Sequence, residues 1–227
     1  MIRTIVILTR KYIYEMRLAP RTILCVGRNY LEHAKELGNV VNTSSEPFFF
    51  LKPPSSIIQY PEPIRLPPGA EVHHEVELGV LIGSRARRLK SDVAAKECVA
   101  GYFVAVDLTA RNWQTEAKNK GLPWTKAKGC DTFLPCGEVF KKSEVQDPNN
   151  VTLTLQVNGV TKQHDSTSLM IHNVWKLLQY ASAYHTLEAG DVLLTGTPKG
   201  VSALKVGDKV TISGVGSPVT FKVESWD

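Results

Sequence analysis

Glu75 and Glu77 lie two residues apart in the run HHEVELGVLIG, and Asp107 closes the apolar stretch GYFVAVD. In a strand, residues i and i+2 project from one face, so the spacing predicts that Glu75 and Glu77 point together while Val76 turns into the core. Like charges this close repel, and a fold tolerates them most simply when a divalent cation sits between them. Asp107 is placed to supply a third arm. Three hard oxygen donors, with no cysteine or histidine, favour Mg2+ or Mn2+ over zinc and leave octahedral positions for substrate or water. Alternating glutamates are also ordinary on the polar outer face of an antiparallel strand, and spacing alone leaves both readings open.

Two further pairs have the spacing of a helix face. His33 and Glu36 are three apart in NYLEHAKELG, where a helix stacks their side chains. A carboxylate that orients an imidazole suits a general base working near neutral pH, although the same pair is common as a surface ion pair. Arg111 and Gln114, also three apart, follow Asp107 on one face of the next helix.

The elements that must hold these residues can be read from periodicity. ILCVG is a short apolar strand, residues 29–37 have helical spacing ended by Gly38, and FFFLK is a strand between Ser/Thr/Pro-rich loops. HHEVELGVLIG and GYFVAVD read as strands, with a short helix near 92–99 between them and another helix from about 109 to 120 after them. VTLTLQVNGV alternates and turns at Asn158-Gly159 into a hairpin. A helix near 170–184, the strand DVLLTG and a closing hairpin of DKVTISG with PVTFKVE complete the order. The fold class expected is α+β and β-dominated, with few short helices.

Composition bounds the function. The 227 residues make one sizeable domain, expected over 23–227, and 43% hydrophobic with 22% charged residues is ordinary for a globular chain. No apolar run approaches bilayer-spanning length, so no membrane partner is expected. Cys25, Cys98, Cys130 and Cys136 show no CxxC pairing and read as free thiols. The net charge of +5 is concentrated in residues 1–22, where Arg3, Arg10, Lys11, Arg17 and Arg21 face only Glu15. The nearly neutral body lacks the basic stripe that a phosphate backbone needs, which excludes nucleic acid as a partner. The basic segment itself puts Arg3, Arg10 and Arg17 on one helical face and reads as a mitochondrial presequence. It lacks serine, and Met16 could start a shorter cytosolic form.

GRNYLEHAKELGN, EPFFFLKPPSS, HHEVELG, DLTARNWQTEAKNKGLPWTKAKG and LLTGTPKGV, in that order, resemble the fumarylacetoacetate hydrolase family, nearest to its acylpyruvase branch. That branch comprises acylpyruvate hydrolases, oxaloacetate decarboxylases and oxaloacetate tautomerases, and the resemblance runs from Ile23 to the C-terminus. It implies a mixed β-roll, a homodimer, and metal ligation by Glu75, Glu77 and Asp107. It also implies that Arg111 and Gln114 contact substrate, that Lys128 is the active-site lysine, and that Thr197 in TGTPKG binds a ligand carboxylate. His33 and Glu36 become the catalytic dyad on a lid, with Arg28 and Tyr30 near the far end of the substrate.

These implied roles converge on a small 2-oxo acid. A C1 carboxylate and C2 ketone chelate a divalent cation, and withdrawal of electrons from C3 makes a pyruvate enolate accessible. Oxaloacetate decarboxylation, keto-enol tautomerisation and acylpyruvate hydrolysis all pass through that enolate. The alternatives are an isomerase or decarboxylase of longer oxo-dicarboxylates, and a non-catalytic module that binds a 2-oxo acid or metal.

Overall fold

The computed structural model describes residues 18–38, 43 and 45–226. Most of the basic segment 1–22, expected above to be a mitochondrial presequence, therefore lies outside the described residues. The described chain opens with β1 (Ile23–Gly27), α1 (Leu31–Glu36), β2 (Phe48–Lys52), β3 (Ile57–Gln59) and β4 (Ile64–Leu66). There follow β5 (Val72–His73), β6 (Val76–Ile82), α2 (Asp92–Glu97), β7 (Val99–Val106), β8 (Thr109–Ala110), α3 (Arg111–Lys120) and α4 (Thr125–Lys128). The remainder is β9 (Leu134–Cys136), β10 (Phe140–Lys141), β11 (Thr152–Val157), β12 (Val160–Ser166), α5 (Val174–Tyr184), β13 (Val192–Leu194), β14 (Lys209–Ser213) and β15 (Val219–Ser225).

An eight-stranded mixed sheet runs β2-β1-β13-β6-β7-β9-β3, with β10 pairing alongside β7. It curls around an inner face that is apolar over most of its length and becomes charged where Lys52, in parity with Phe50, and Glu77, in parity with Gly79 and Leu81, stand. Ile23, Cys25, Leu81, Phe103, Ala105, Leu134, Cys136, Val192 and Leu194, drawn from five strands, share one cluster. The other face of β6 and β7, carrying Val76, Leu78, Val80, Val104 and Val106, packs on a second sheet ordered β12-β11-β14-β15-β4. Leu153, Leu155, Val210, Ile212, Phe221 and Val223 supply that second layer. Every residue of β6 is buried because both its faces are covered. The β-dominated class and the β-roll expected above are borne out.

Close packing inside the curl depends on one glycine. Gly79 pairs with Phe103 in the antiparallel register of β6 and β7, and a Cβ at Gly79 would sit 2.4 Å from the Phe103 ring. The ring therefore occupies the volume that a side chain on β6 would take, and it is fully buried. The four cysteines are unpaired, as expected. No helix among the described residues is long and apolar enough to cross a membrane. Phe103→Ala would empty the inner cluster and should lower unfolding free energy by about 3–5 kcal/mol. Urea denaturation checks this, and a loss under about 1 kcal/mol would mean that the curl closes without the ring.

Candidate active site

The antiparallel pairing of β6 with β7 brings the acidic residues together. Val76 lies opposite Val106, so Glu77 on β6 stands near Asp107, which leaves the end of β7. Glu75 departs from the expected continuous strand: β5 ends at His73 and β6 begins at Val76, with His74 and Glu75 in the break. The break has a local cause. The buried His74 ring places Nδ1 3.0 Å from Gln163 Oε1 and Nε2 2.8 Å from Ser202 Oγ, which draws this backbone toward the second sheet. Asp107 N still donates to Glu75 O at 2.8 Å, so the carboxylates remain adjacent. Ligand atoms of Glu75, Glu77 and Asp107 all lie within 4.8 Å of one another, and all three residues are buried.

Buried carboxylates at that separation require compensation. Lys128, the last residue of α4, places Nζ 2.9 Å from Glu75 Oε2 and 2.6 Å from Asp107 Oδ2. Arg111 at the start of α3 donates to Glu75 Oε1 at 2.5 Å, and Thr109 Oγ1 donates to the same oxygen at 3.0 Å. Lys52, at the end of β2, sits 2.8 Å from Asp107 Oδ1 and donates to the carbonyl oxygens of Leu108 and Lys128. Burial pushes the Glu75 carboxyl up, but Lys128 and then Arg111 outweigh it and hold its pKa far below the ordinary value. Burial pushes Lys128 down, and Asp107 and Glu75 reverse this, so its ammonium stays charged. Glu77 differs. Burial, then Asp107 and Glu75, drive its pKa well up, and Lys128 together with Gly196 N, which donates to Oε2 at 2.7 Å, only partly offsets them. Gly196 reaches that position with φ +91°, a conformation that favours glycine.

The donor set fits a hard divalent cation. All three side chains offer oxygen, and the buried Asp107 Oδ1 accepts no hydrogen bond despite the nearby Lys52 ammonium. A dication would also relieve the repulsion concentrated on Glu77.

Above this floor opens a small cleft lined among others by Arg28, His33, Glu75, Glu77, Arg111, Gln114, Lys128 and Thr197. Arg111 donates to Gln114 Oε1 at 2.9 Å, so the two act as one unit on α3. His33 Nδ1 is 3.4 Å from Glu36 Oε2, and burial lowers the imidazole pKa, which favours the neutral, proton-accepting form. The Glu36 carboxylate also accepts from Gly200 N at 3.1 and 3.2 Å, which ties α1 to the loop after β13. Thr197 Oγ1 donates to Val76 O and accepts from Gln163 Nε2, both at 2.8 Å, and so braces the strand carrying Glu77. Tyr30 is not brought to the cleft. The residue is 2% exposed, packs within the main core and is absent from the cleft lining.

Three polar residues here escaped the sequence reading. Lys52 shares strand parity with Phe48 and Phe50, which both line the cleft, and that alternation was the available signal. Lys118 stands four residues beyond Gln114 and seven beyond Arg111, on the same stripe of α3. Gln163 lies in the uniformly polar run KQHDS, where nothing local marks it as the buried residue.

A curled β-sheet with a buried acidic triad at its mouth, ringed by cations, defines an enzyme of the fumarylacetoacetate hydrolase type. Residues 22–221 match the family described as fumarylacetoacetate (FAA) hydrolase C-terminal, and the chain belongs to that family. It is 50% identical over 204 residues to the mitochondrial oxaloacetate tautomerase of Arabidopsis thaliana, covering 89% of this chain and 90% of that protein. To the mitochondrial oxaloacetate decarboxylase of Dictyostelium discoideum it is 47% identical over 207 residues, covering 89% and 94% respectively. Fumarylpyruvate hydrolase from Pseudomonas aeruginosa, solved with Mn2+ and pyruvate, superposes with a TM-score of 0.85 at 31% identity, covering 92% of this chain and 91% of that one.

Lys52→Met would leave Asp107 buried with one counter-charge fewer. In EDTA at neutral pH, unfolding free energy should fall by about 3–5 kcal/mol, the cost of breaking a buried ion pair. Denaturation curves unchanged from wild type would show that Lys128 alone neutralises Asp107.

Proposed function

We propose that this enzyme acts on oxaloacetate and related small 2-oxo acids, with keto-enol tautomerisation of oxaloacetate as its leading activity. The carrying observation is the triad of Glu75, Glu77 and Asp107 beneath Lys128, Arg111 and a neutral His33 in one cleft. The names of the Arabidopsis and Dictyostelium relatives support the substrate class. Glu75, Glu77 and Asp107 would hold a divalent cation, Mg2+ or Mn2+, which when bound polarises the 2-oxo group and acidifies C3.

The chain's own groups do the rest. Arg111 and Lys128 supply positive charge where the substrate carboxylate and the developing enolate oxygen lie, in a site from which burial excludes water. Gln114, held by Arg111, orients the ligand. For tautomerisation, His33 accepts the proton from C3 and returns it to the enolate oxygen, and Glu36 steadies the imidazolium formed between the two transfers. Decarboxylation of oxaloacetate breaks the C3–C4 bond, carbon dioxide leaves, and the electron pair stays at C3 without any base. For an acylpyruvate, His33 takes a proton from water as the oxygen adds to the acyl carbonyl; the bond to C3 then breaks, the acyl group leaves as a carboxylic acid, and the electron pair left at C3 takes up the proton to give pyruvate. The Pseudomonas neighbour, a fumarylpyruvate hydrolase, favours this as a second activity. We further propose a mitochondrial matrix location, supported by the basic segment 1–22 and by relatives named mitochondrial, and a homodimer.

Purified protein given oxaloacetate enol should lose the enol absorbance about 100-fold faster with Mg2+ or Mn2+ than after EDTA. Indifference to EDTA would reject the metal reading, and binding of oxalate without turnover of any substrate would reject catalysis. His33→Ala should slow tautomerisation and acetylpyruvate hydrolysis by about 10^2-fold or more while oxaloacetate decarboxylation falls much less. Parallel loss of all three would make the His33–Glu36 pair an anchoring element instead.

A further inference from the structure

The cations of the cleft divide into two sets. Lys128, Arg111 and Lys52 are bound to the carboxylates of the triad. Arg28 and Lys118, which also line the cleft but lie at its exposed mouth, have no carboxylate partner among the described residues. Each rests instead on an aromatic face. The Arg28 guanidinium lies 5.4 Å from the centre of the Phe48 ring, and Lys118 Nζ lies 5.2 Å from that of Trp124. Phe48 and Trp124 meet edge to face, with centroids 5.7 Å apart at 85°, so they form one corner. That corner holds two unneutralised cations at the same entrance.

Two cations held at one entrance and unpaired with any carboxylate among the described residues leave an anion-sized demand at the mouth of the cleft. Burial first, and then Arg111 and Arg28, push the Lys118 pKa down. Arg28 holds φ at +58°, a left-handed conformation that is strained for a residue with a Cβ. Strain of this kind persists where the surrounding structure fixes a side chain for use. Planar rings hold the two cations by cation–π attraction without removing their charge or filling their hydrogen-bonding capacity.

We infer that Arg28 and Lys118, seated on the Phe48–Trp124 corner, bind the far carboxylate of a dicarboxylic 2-oxo acid and set a preference for diacids over 2-oxo acids with a neutral tail. This rests on the function proposed above, because it takes the C1 carboxylate and ketone to lie at the triad. The near end of the ligand then meets Lys128 and Arg111, and the far end meets the rim. A diacid satisfies both sets of cations, whereas a neutral tail leaves the rim charges unmatched.

The test compares 2-oxoglutarate with 2-oxopentanoate, which have the same chain length and differ in terminal charge. Binding to Mn2+-loaded protein is measured by calorimetry, so the result does not depend on turnover. Wild type should bind the diacid at least about tenfold more tightly, the scale of one charge-assisted hydrogen bond. Lys118→Met should remove most of that preference by weakening 2-oxoglutarate alone, leave 2-oxopentanoate and oxalate within about twofold, and be rescued by Lys118→Arg. Arg28→Met should act in the same direction. Equal weakening of both acids, or an undiminished preference in both variants, overturns the assignment. Failure of the functional reading looks different, since the enzyme would then retain the diacid preference while turning over neither oxaloacetate nor acetylpyruvate.

Discussion

The constraint on which the site depends is the burial of three carboxylates within a few ångströms of one another. Desolvation alone would protonate them, and mutual repulsion would push them apart. The fold answers with cations from three separate elements: Lys52 from β2, Arg111 from α3 and Lys128 from α4. Glu75 is thereby kept ionised, whereas Glu77 is hydrogen-bonded by one backbone amide and feels Lys128 only through space, so it is left with the larger share of the repulsion. That imbalance is what makes the cluster a fitting seat for a dication rather than a closed ion-pair network.

The polar ties around the triad also fasten the two sheets to each other. Gln163 comes from β12 in the second sheet, yet its amide reaches Val76 N, the His74 ring, Thr197 Oγ1 and Pro198 O. Through Thr197 it fixes the first residue of β6, so the position of Glu77 is set from both sides. The hydroxyl that the family resemblance assigns to a ligand carboxylate is, in this structure, occupied in holding the strand. Buried amides with every group paired confer rigidity of this kind.

Helix α1 is held at one end of the cleft by the contact of Glu36 with Gly200 N, and His33 is buried beside it. A six-residue helix has little stability of its own, so its place is decided by such anchors and by the buried Ala34. Loss of solvent around His33 keeps the imidazole neutral, which is the form a base requires. The same residues thus fix a geometry and set a protonation state.

Much of the fold was legible because alternation and turn chemistry are local. The runs ILCVG, FFFLK, VTLTLQV and VTFKVE, and the Asn158-Gly159 turn, gave strands within a residue or two of those observed. The short strands β3, β4 and β9 and the helix α4 were not, since three or four residues carry too little periodicity to register. The site divides in the same way. Spacing by itself determined that His33 and Glu36, and Arg111 and Gln114, are neighbours, because each pair lies within one helical turn, whereas Glu75 and Glu77 meet across a break in the strand that spacing did not foresee. Only the tertiary structure decided that Asp107, Lys52 and Lys128 join them, that Gln163 reaches across from another sheet, and that Tyr30 turns into the core instead of the cleft. Local period encodes which face a side chain occupies, whereas the group that meets it there is chosen by strand register and sheet closure across distant stretches of chain.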